Sequence, residues 1–159
     1  MPRLITAFRP FNTAESIPFF SADLSSDDTG YTPAADFGDR VDYNAIVGGN
    51  NIGGHFKTSG SDIGLFVAPV KGIHNFQCAA YSASSMTQMG QCWLVVNGNR
   101  ESHCDEVHPS SPHSEASFFI EVNKGDKVGF HPYQNISGAR TINANDHHTY
   151  FRGYLVKEL

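Results

Sequence analysis

The sequence predicts an all-β fold from three observations. Twelve Phe residues stand among its 159 residues, and aromatic side chains pack well on a pleated, half-buried surface. Fifteen Gly and eight Pro residues supply frequent turns. No stretch sustains the three- and four-residue apolar spacing of an amphipathic helix. Short strands separated by regular turn signals are typical of a β-sandwich or a β-barrel.

Alternating apolar residues mark the individual strands. Side chains alternate between the two faces of a strand, so His74, Phe76 and Cys78 share one face and Asn75 and Gln77 share the other. The segment from residue 92 to residue 97 is apolar on both faces, as expected at a sandwich centre or a subunit contact. In chain order, the predicted strands lie within Leu4–Ala22, Val41–Val47, Ile73–Tyr81, Cys92–Asn97, Ala116–Val122, Lys127–Tyr133 and Thr149–Leu155.

Polar and turn-forming residues separate these strands. Asn97-Gly98 is a strong hairpin signal, and residues 123–126 form another tight turn. Three polar stretches are predicted as loops, at Asp23–Asp42, Glu101–Glu115 and Gln134–His148. A loop longer than about 12–15 residues in a compact domain is usually functional or disordered, which draws attention to the third stretch.

Length and charge exclude several classes of protein. The length fits one domain, so we expect residues 1–159 to form a single domain. No apolar run reaches the roughly 18–20 residues that a membrane-spanning helix needs, so no membrane insertion is expected. The net charge is −5, and eleven Lys and Arg residues form no basic block, which argues against a nucleic-acid partner. A nucleophile elbow and a phosphate-binding Gly loop are also missing, so we expect no enzyme activity.

Four motifs in a fixed order give the sequence a family resemblance. They are Asn51–Phe56, Phe66–Phe76, Lys124–Val128 and Tyr150–Leu155. With these motifs the chain resembles the globular head domain of complement C1q and its relatives. The resemblance implies a ten-stranded jelly-roll sandwich of the type shared by C1q and tumour necrosis factor. It also implies assembly in trimers, here a homotrimer, and secretion. Neither a Gly-X-Y repeat, and hence a collagen stalk, nor a secretory signal is visible in the sequence.

The resemblance bears on the Cys92–Cys104 pair and on His74, whereas strand alternation and neighbouring residues give the expectations for Cys78 and Trp93. Cys92 and Cys104 are similar to the intradomain disulfide pair of the complement chains, which implies a bond between them; the alternative is that all cysteines are reduced. Cys78 is expected to be a buried thiol. His74 replaces an aromatic residue of the family and is expected to be a core histidine. Trp93 is expected to pack, at the subunit contact.

The Gln134–His148 loop, together with the residue before it, carries groups suited to sugar recognition. Asn and Asp can bond hydroxyls in pairs, a Tyr ring can stack on the apolar face of a sugar, and Arg140 can pair with a carboxylate. Snail and bivalve proteins with this domain include lectins that bind sialic acid, so the resemblance permits that ligand and a role in innate immune recognition. A solvated loop without a ligand is the alternative. The candidate ligand-binding residues are Tyr133, Asn135, Arg140, Asn143, Asp146 and His148.

Two further features bear on this site. Asn135 begins an acceptor sequence for N-glycosylation, and a glycan there would crowd the loop. No cofactor is required, but calcium prefers oxygen ligands such as those of Asn145 and Asp146.

Two other functions are alternatives to sugar recognition. One is an extracellular structural or divalent-metal-binding protein, because His103, His108 and His113 share one polar stretch. Their spacing fits no closed tetrahedral motif, which favours solvated histidines. The other is a signalling ligand similar to tumour necrosis factor, which has the same fold and binds a protein partner.

Overall fold

Eleven strands make up most of the described part of the chain. The computed structural model describes residues 17–26, 28–31, 40–81, 91–104, 113–133, 140–142 and 149–159. Within these ranges there is no α-helix, only a 3₁₀ turn at Ile52–Gly54, which confirms the all-β prediction. The strands are β1 (Phe19–Asp23), β2 (Asp28–Tyr31), β3 (Ala45–Asn51), β4 (Phe66–Val67), β5 (Gly72–Tyr81), β6 (Gln91–Val96), β7 (Asn99–Cys104), β8 (His113–Val122), β9 (Lys127–Tyr133), β10 (Arg140–Ile142) and β11 (Tyr150–Glu158).

Two antiparallel sheets enclose the core. The five-stranded sheet has the order β3-β1-β11-β5-β8, and the four-stranded sheet has the order β4-β9-β6-β7. Strands β2 and β10 form a separate pair. The apolar faces of the two large sheets meet in one cluster of buried side chains, as in a jelly-roll sandwich.

The predicted strands and the observed strands differ in three places. Residues 28–31 and 140–142 were predicted as loops but form β2 and β10. These two short polar segments pair with each other, and neither has a strand pattern of its own. The loop predicted at Glu101–Glu115 is also wrong at both ends, where β7 and β8 lie. Finally, the strand predicted at Val41–Val47 lies at Ala45–Asn51, so that β3 continues through Gly48 and Gly49. Both glycines have positive φ, and a register shift in β1 against β3 marks a bulge there.

A cluster of phenylalanine rings fills the space between the sheets. Phe20 stacks on Phe56 with ring centroids 4.6 Å apart and on Phe66 at 5.1 Å, and it meets the edge of Phe151 at 5.0 Å. All of these rings are at most 2% exposed. Burying each contributes on the order of 1.5–3 kcal/mol, and a good aromatic pair adds about 0.5–1.5 kcal/mol. The cluster is therefore a principal source of stability.

Gly153 makes this packing possible. It lies on β11 directly opposite Phe20 on β1 and Phe76 on β5. A Cβ atom at this position would stand 2.6 Å from a ring carbon of Phe20 and 2.7 Å from one of Phe76. Because both rings are buried, neither can move aside without disturbing the core. Any larger residue would overpack it, which typically costs about 1–3 kcal/mol.

The motif that starts at Asn51 closes a turn. Its side-chain Nδ2 donates to the carbonyl oxygen of Phe56 at 2.9 Å, and its Oδ1 accepts from the Phe56 N–H at 3.0 Å. The carboxamide thus satisfies both backbone groups of a buried residue, as a neighbouring strand would. Gly53 and Gly54 complete the turn with positive φ values. This geometry explains why an Asn five residues before an aromatic is part of the sequence signature.

His74 is a core histidine, as predicted. It is fully buried, and its ring lies 5.5 Å from Phe66 and 5.9 Å from Phe76. Its Nδ1 lies 3.3 Å from the carbonyl oxygen of Gly72, so Nδ1 carries the proton and donates it. The Nε2 atom has no hydrogen-bond partner among the described residues. Burial lowers the pKa of His74, because a charge here would be poorly solvated, and the Gly72 carbonyl opposes this only in part.

We therefore predict that His74 makes the fold sensitive to mild acid. The pKa is lower in the folded chain than its ordinary value of 6.5, so protonation favours the unfolded state. The stabilising contribution of neutral His74 is complete above pH 6.5 and is lost as the pH falls from there to the lowered pKa. The midpoint of urea unfolding is measured above and below this pH range. Acidification should lower the midpoint less in His74→Phe than in the wild-type chain.

A second histidine supplies the control for this prediction. The pKa of His55 is also lowered, by burial and by the charge of Lys57, but His55 is only partly buried. The His55→Gln variant should keep most of the acid sensitivity. An unchanged pH dependence in His74→Phe would contradict the prediction.

Candidate functional site

The strand ends at one end of the sandwich form the frame of the candidate site. A tight turn at residues 123–126 joins β8 to β9 across the two sheets, so the start of β8 and the finish of β9 lie at the opposite end. The register brings the other long strands into line with these two. We call this end of the domain the loop end, and the strand residues that border it are Tyr81, Gln91, Cys104, His113, Tyr133 and Tyr150.

The predicted ligand-binding segment starts and finishes at the loop end. Tyr133 is the last residue of β9 and pairs with Gln91, while Tyr150 begins β11. Arg140 begins β10 and pairs with Tyr31. The side chains of Tyr133 and Arg140 lie outside the described part of the structure, and so do the remaining predicted residues, Asn135, Asn143, Asn145, Asp146 and His148.

The predicted metal ligands have a similar distribution. His103 lies in β7 and His113 begins β8, so both belong to strands that meet the loop end. His108 lies outside the described residues, as do both calcium candidates. Among the side chains that the structure describes, no group of three or more His, Cys, Asp or Glu could hold a metal ion.

The strand register also places the two cysteines of the predicted disulfide opposite each other. Cys92 on β6 is the direct cross-strand partner of Cys104 on β7. Facing residues in an antiparallel pair have Cα atoms roughly 4.5–5.5 Å apart, which is within the range of about 4.4–6.8 Å for a disulfide. Cys78 is a buried thiol whose Sγ lies 3.8 Å from the carbonyl oxygen of Ala116, as the alternation of β5 predicted.

A polar cluster that the sequence did not reveal lies beside the loop end. The Tyr150 hydroxyl donates to the carboxylate of Glu115, and the Arg152 guanidinium lies 4.1 Å from the centre of the Tyr150 ring. Burial and the neighbouring carboxylate raise the pKa of Tyr150, so the phenol stays protonated and serves as a donor. Strand β5 lies between Tyr150 on β11 and Glu115 on β8, so no local pattern reveals their contact. Tyr150 and Arg152 share one face of β11 because side chains alternate along a strand.

The outer face of the five-stranded sheet carries a row of three aromatic residues and one asparagine. We call Phe19, Tyr154, Asn75 and Phe119 the aromatic row, because the register places them side by side across β1, β11, β5 and β8. Phe119 is 69% exposed and Tyr154 is 39% exposed. Asn75 lies buried between them and donates to Ser117 Oγ at 3.1 Å, but its Oδ1 has no partner among the described residues.

A polar row lies next to the aromatic row on the same face. It consists of Ser21, Arg152, Gln77 and Ser117, again in cross-strand register. The Nε atom of Arg152 is buried and has no hydrogen-bond partner in the described part of the chain. This face therefore combines exposed apolar area with buried polar atoms that have no hydrogen-bond partner among the described residues.

The outer face of the four-stranded sheet has a different character. Trp93 on β6 pairs with His131 on β9 and with His103 on β7, so two imidazole residues flank it in register. The Arg100 guanidinium lies 4.6 Å from the centre of the indole ring, within cation–π distance. Trp93 is half-buried, as expected for a packed residue, but it lies on the sheet that does not carry the aromatic row.

Comparison with known proteins yields a family and a fold. The family model of the C1q domain matches residues 20–156. The globular domain of zebrafish complement 1qA protein superimposes with a TM-score of 0.61, at 18% identity over 91% of this chain and 100% of that chain. Eiger TNF from S. frugiperda superimposes with a TM-score of 0.51, at 12% identity over 89% of this chain and 95% of that one.

Further matches give the same result. Murine APRIL at pH 5.0 has a TM-score of 0.52 at 11% identity, over 89% of this chain and 100% of that one. At these identities the likeness establishes the jelly-roll fold alone. No curated protein matches the sequence significantly. None of the described elements is a helix of the length and apolar character needed to cross a membrane.

Proposed function

Because this chain belongs to the C1q domain family, we propose that it is a secreted, non-enzymatic domain that binds carbohydrates in innate immune recognition. C1q-type and tumour-necrosis-factor-type domains are generally non-enzymatic, and C1q-domain proteins are generally secreted. The proposed ligand is a glycan that carries sialic acid. The proposed ligand-binding residues are those of the 133–148 segment, with Arg140 as the partner of the sugar carboxylate.

The observation that carries this proposal is the position of the 133–148 segment. The segment leaves β9 and enters β11 at the same end of the sandwich, so both of its flanking strands meet the loop end. Several polar groups close together suit a ligand that presents many hydroxyls. The polar cluster of Glu115, Tyr150 and Arg152 borders the same end and adds further donors and acceptors.

We also propose that three copies of the chain associate through the aromatic row. Domains of this family typically form trimers. A face with a 69% exposed Phe119, and with buried polar atoms that no described residue bonds, is typical of a surface that another subunit covers. Symmetric association turns three loop ends toward the same side. Three weak sugar sites then act together, which raises the avidity for a surface of repeated glycans by several orders of magnitude.

A disulfide between Cys92 and Cys104 completes the proposal. The direct pairing of the two residues in the β6–β7 ladder supports it. A bond that closes a loop of this length contributes about 3 kcal/mol by restricting the unfolded chain. The bond would join the start of β6 to the last residue of β7, next to the loop end.

We predict selective binding on a glycan array. The chain should bind sialylated glycans, and Arg140→Ala should abolish that signal, because the guanidinium supplies a charge-assisted pair of bonds worth about 1.5–3 kcal/mol. Lys124→Ala is the matched control, since it removes a positive charge from the exposed turn at the opposite end and should leave binding unchanged. The array is run with and without calcium to test the Asn145 and Asp146 prediction.

Several outcomes would contradict the proposal. An array without any signal, or a signal that Arg140→Ala leaves intact, would refute the assigned sugar site. Capture on cell membranes that survives sialidase would favour the signalling-ligand alternative. Micromolar zinc binding measured by calorimetry, with no glycan signal, would favour the metal-binding alternative.

We predict that the unfolded, unreduced chain has one reactive thiol. Only Cys78 should be alkylated before reduction, and all three cysteines should be alkylated after it. The Cys78→Ala variant should therefore have no reactive thiol before reduction. Three reactive thiols in the freshly purified, unreduced wild-type chain would contradict the disulfide.

A further inference from the structure

We propose that Asn97 is a site of deamidation, and that its conversion to an acid breaks the hydrogen bonds between two turns at the end of the domain opposite the loop end. This inference goes beyond the proposed function and does not depend on it. Asn97 is followed by Gly98, whereas none of the other Asn residues precedes a glycine. Deamidation begins when the next backbone nitrogen attacks the carboxamide carbon, and a glycine hinders that approach least because it has no side chain.

The side chain of Asn97 connects the β6–β7 hairpin to the turn at residues 123–126. Its Nδ2 donates to Asp126 Oδ1 at 2.8 Å, and its Oδ1 accepts from the Lys127 N–H at 2.9 Å. The backbone N–H of Asn97 donates to the carbonyl oxygen of Lys127 at 2.9 Å. Asp126 Oδ2 accepts from the Asn123 N–H at 2.7 Å, so both oxygens of this carboxylate are engaged. We call these hydrogen bonds the Asn97 clamp.

The hairpin leaves the reacting groups accessible. Asn97 has a φ of 51° and Gly98 a φ of 83°, as a two-residue type I′ turn requires. Both residues are exposed, so water reaches the carboxamide. No heavy atom lies within 4 Å of the place where a Cβ of Gly98 would stand. An aspartate tolerates the left-handed backbone about as well as an asparagine does, so the backbone itself does not oppose the product.

The reaction exchanges the side-chain amide for a carboxylic acid. The Gly98 nitrogen forms a bond to Cγ of Asn97 and loses its proton, while the bond from Cγ to Nδ2 breaks and ammonia leaves. Water then opens the cyclic imide at either carbonyl, which gives an aspartate or an isoaspartate. The sum is amide plus water to acid plus ammonia, without an oxidant or a reductant. Because the clamp holds the carboxamide on the neighbouring turn, the clamp has to open before Gly98 can attack.

The product cannot form the clamp again. An aspartate at position 97 has no donor for Asp126, so two ionised carboxylates would face each other where a 2.8 Å hydrogen bond lies now. Lys127 Nζ already pairs with Asp62 at 2.9 Å. An isoaspartate adds one carbon to the backbone of a turn whose length determines the register of the hairpin. Deamidation therefore makes the opening of the clamp permanent.

The first experiment follows the chemistry by peptide mass spectrometry while the purified full chain is incubated at neutral pH. We expect Asn97 to convert well before Asn123, an exposed turn residue that a lysine follows. Asp126→Ala removes the acceptor of the clamp and should accelerate the conversion severalfold. Gly98→Ala should suppress it. Gly54→Ala is the matched control, because Gly54 also has a positive φ and open surroundings, and it should leave the rate unchanged.

The second experiment measures the consequence by urea unfolding. Asn97→Asp should lower the unfolding midpoint. When it is combined with Asp126→Asn, the new carboxamide can donate to the new carboxylate and still accept from the Asn123 N–H, so most of the loss should be recovered. Asn99→Asp adds the same charge to an exposed residue of the same hairpin and should leave the midpoint nearly unchanged.

Each result supports or overturns the inference. Conversion of Asn97 no faster than that of Asn123 would overturn the assignment of the modification site. A rate that Asp126→Ala leaves unchanged would show that the clamp does not control the reaction. A double variant as unstable as Asn97→Asp alone would overturn the facing-carboxylate argument. Sugar binding by the fresh chain is unaffected by any of these outcomes, so the proposed function is tested separately.

Discussion

The register of β11 between β1 and β5 is the constraint on which the rest of the molecule depends. Gly153 stands opposite both Phe20 and Phe76, and the lack of a side chain there lets the two rings close over it. Side chains alternate along a strand, so a slip of one residue would exchange the buried and exposed faces of β11. The glycine thus determines that Phe151 is buried and that Tyr154 is exposed.

Both outer surfaces follow from this arrangement of strands. On the five-stranded sheet the register assembles the aromatic row and the polar row from residues of four separate strands. On the four-stranded sheet it places Trp93, His131 and Arg100 near one another, three residues from three strands. At the loop end it aligns the strand ends that hold the 133–148 segment. A rigid sandwich therefore positions the exposed side chains of both surfaces.

The sequence predicted those parts of the fold that depend on local pattern. The alternation of residues 73–81 predicted β5 almost to the residue, with Cys78 and His74 on its buried face. Strands β2 and β10 could not be predicted, because each is short and polar and exists through pairing with the other. The Asn97-Gly98 hairpin signal predicts that Val95 faces Arg100, but it specifies neither the register shift between Leu94 and Val95 nor the stacking of Arg100 on Trp93. The predicted sugar-binding residues remain a hypothesis for the array to test.

The oligomeric state tests the central claim most directly, because the aromatic row exists only in the register described above. Sedimentation analysis should find the wild-type chain as a trimer, and Phe119→Ser should weaken association by about tenfold or more, as expected for a central interface aromatic. Ile52→Ser, which changes another exposed apolar residue on the 3₁₀ turn, should leave the trimer intact. A wild-type chain that sediments as single subunits, or a Phe119→Ser trimer as stable as the wild type, would contradict the account.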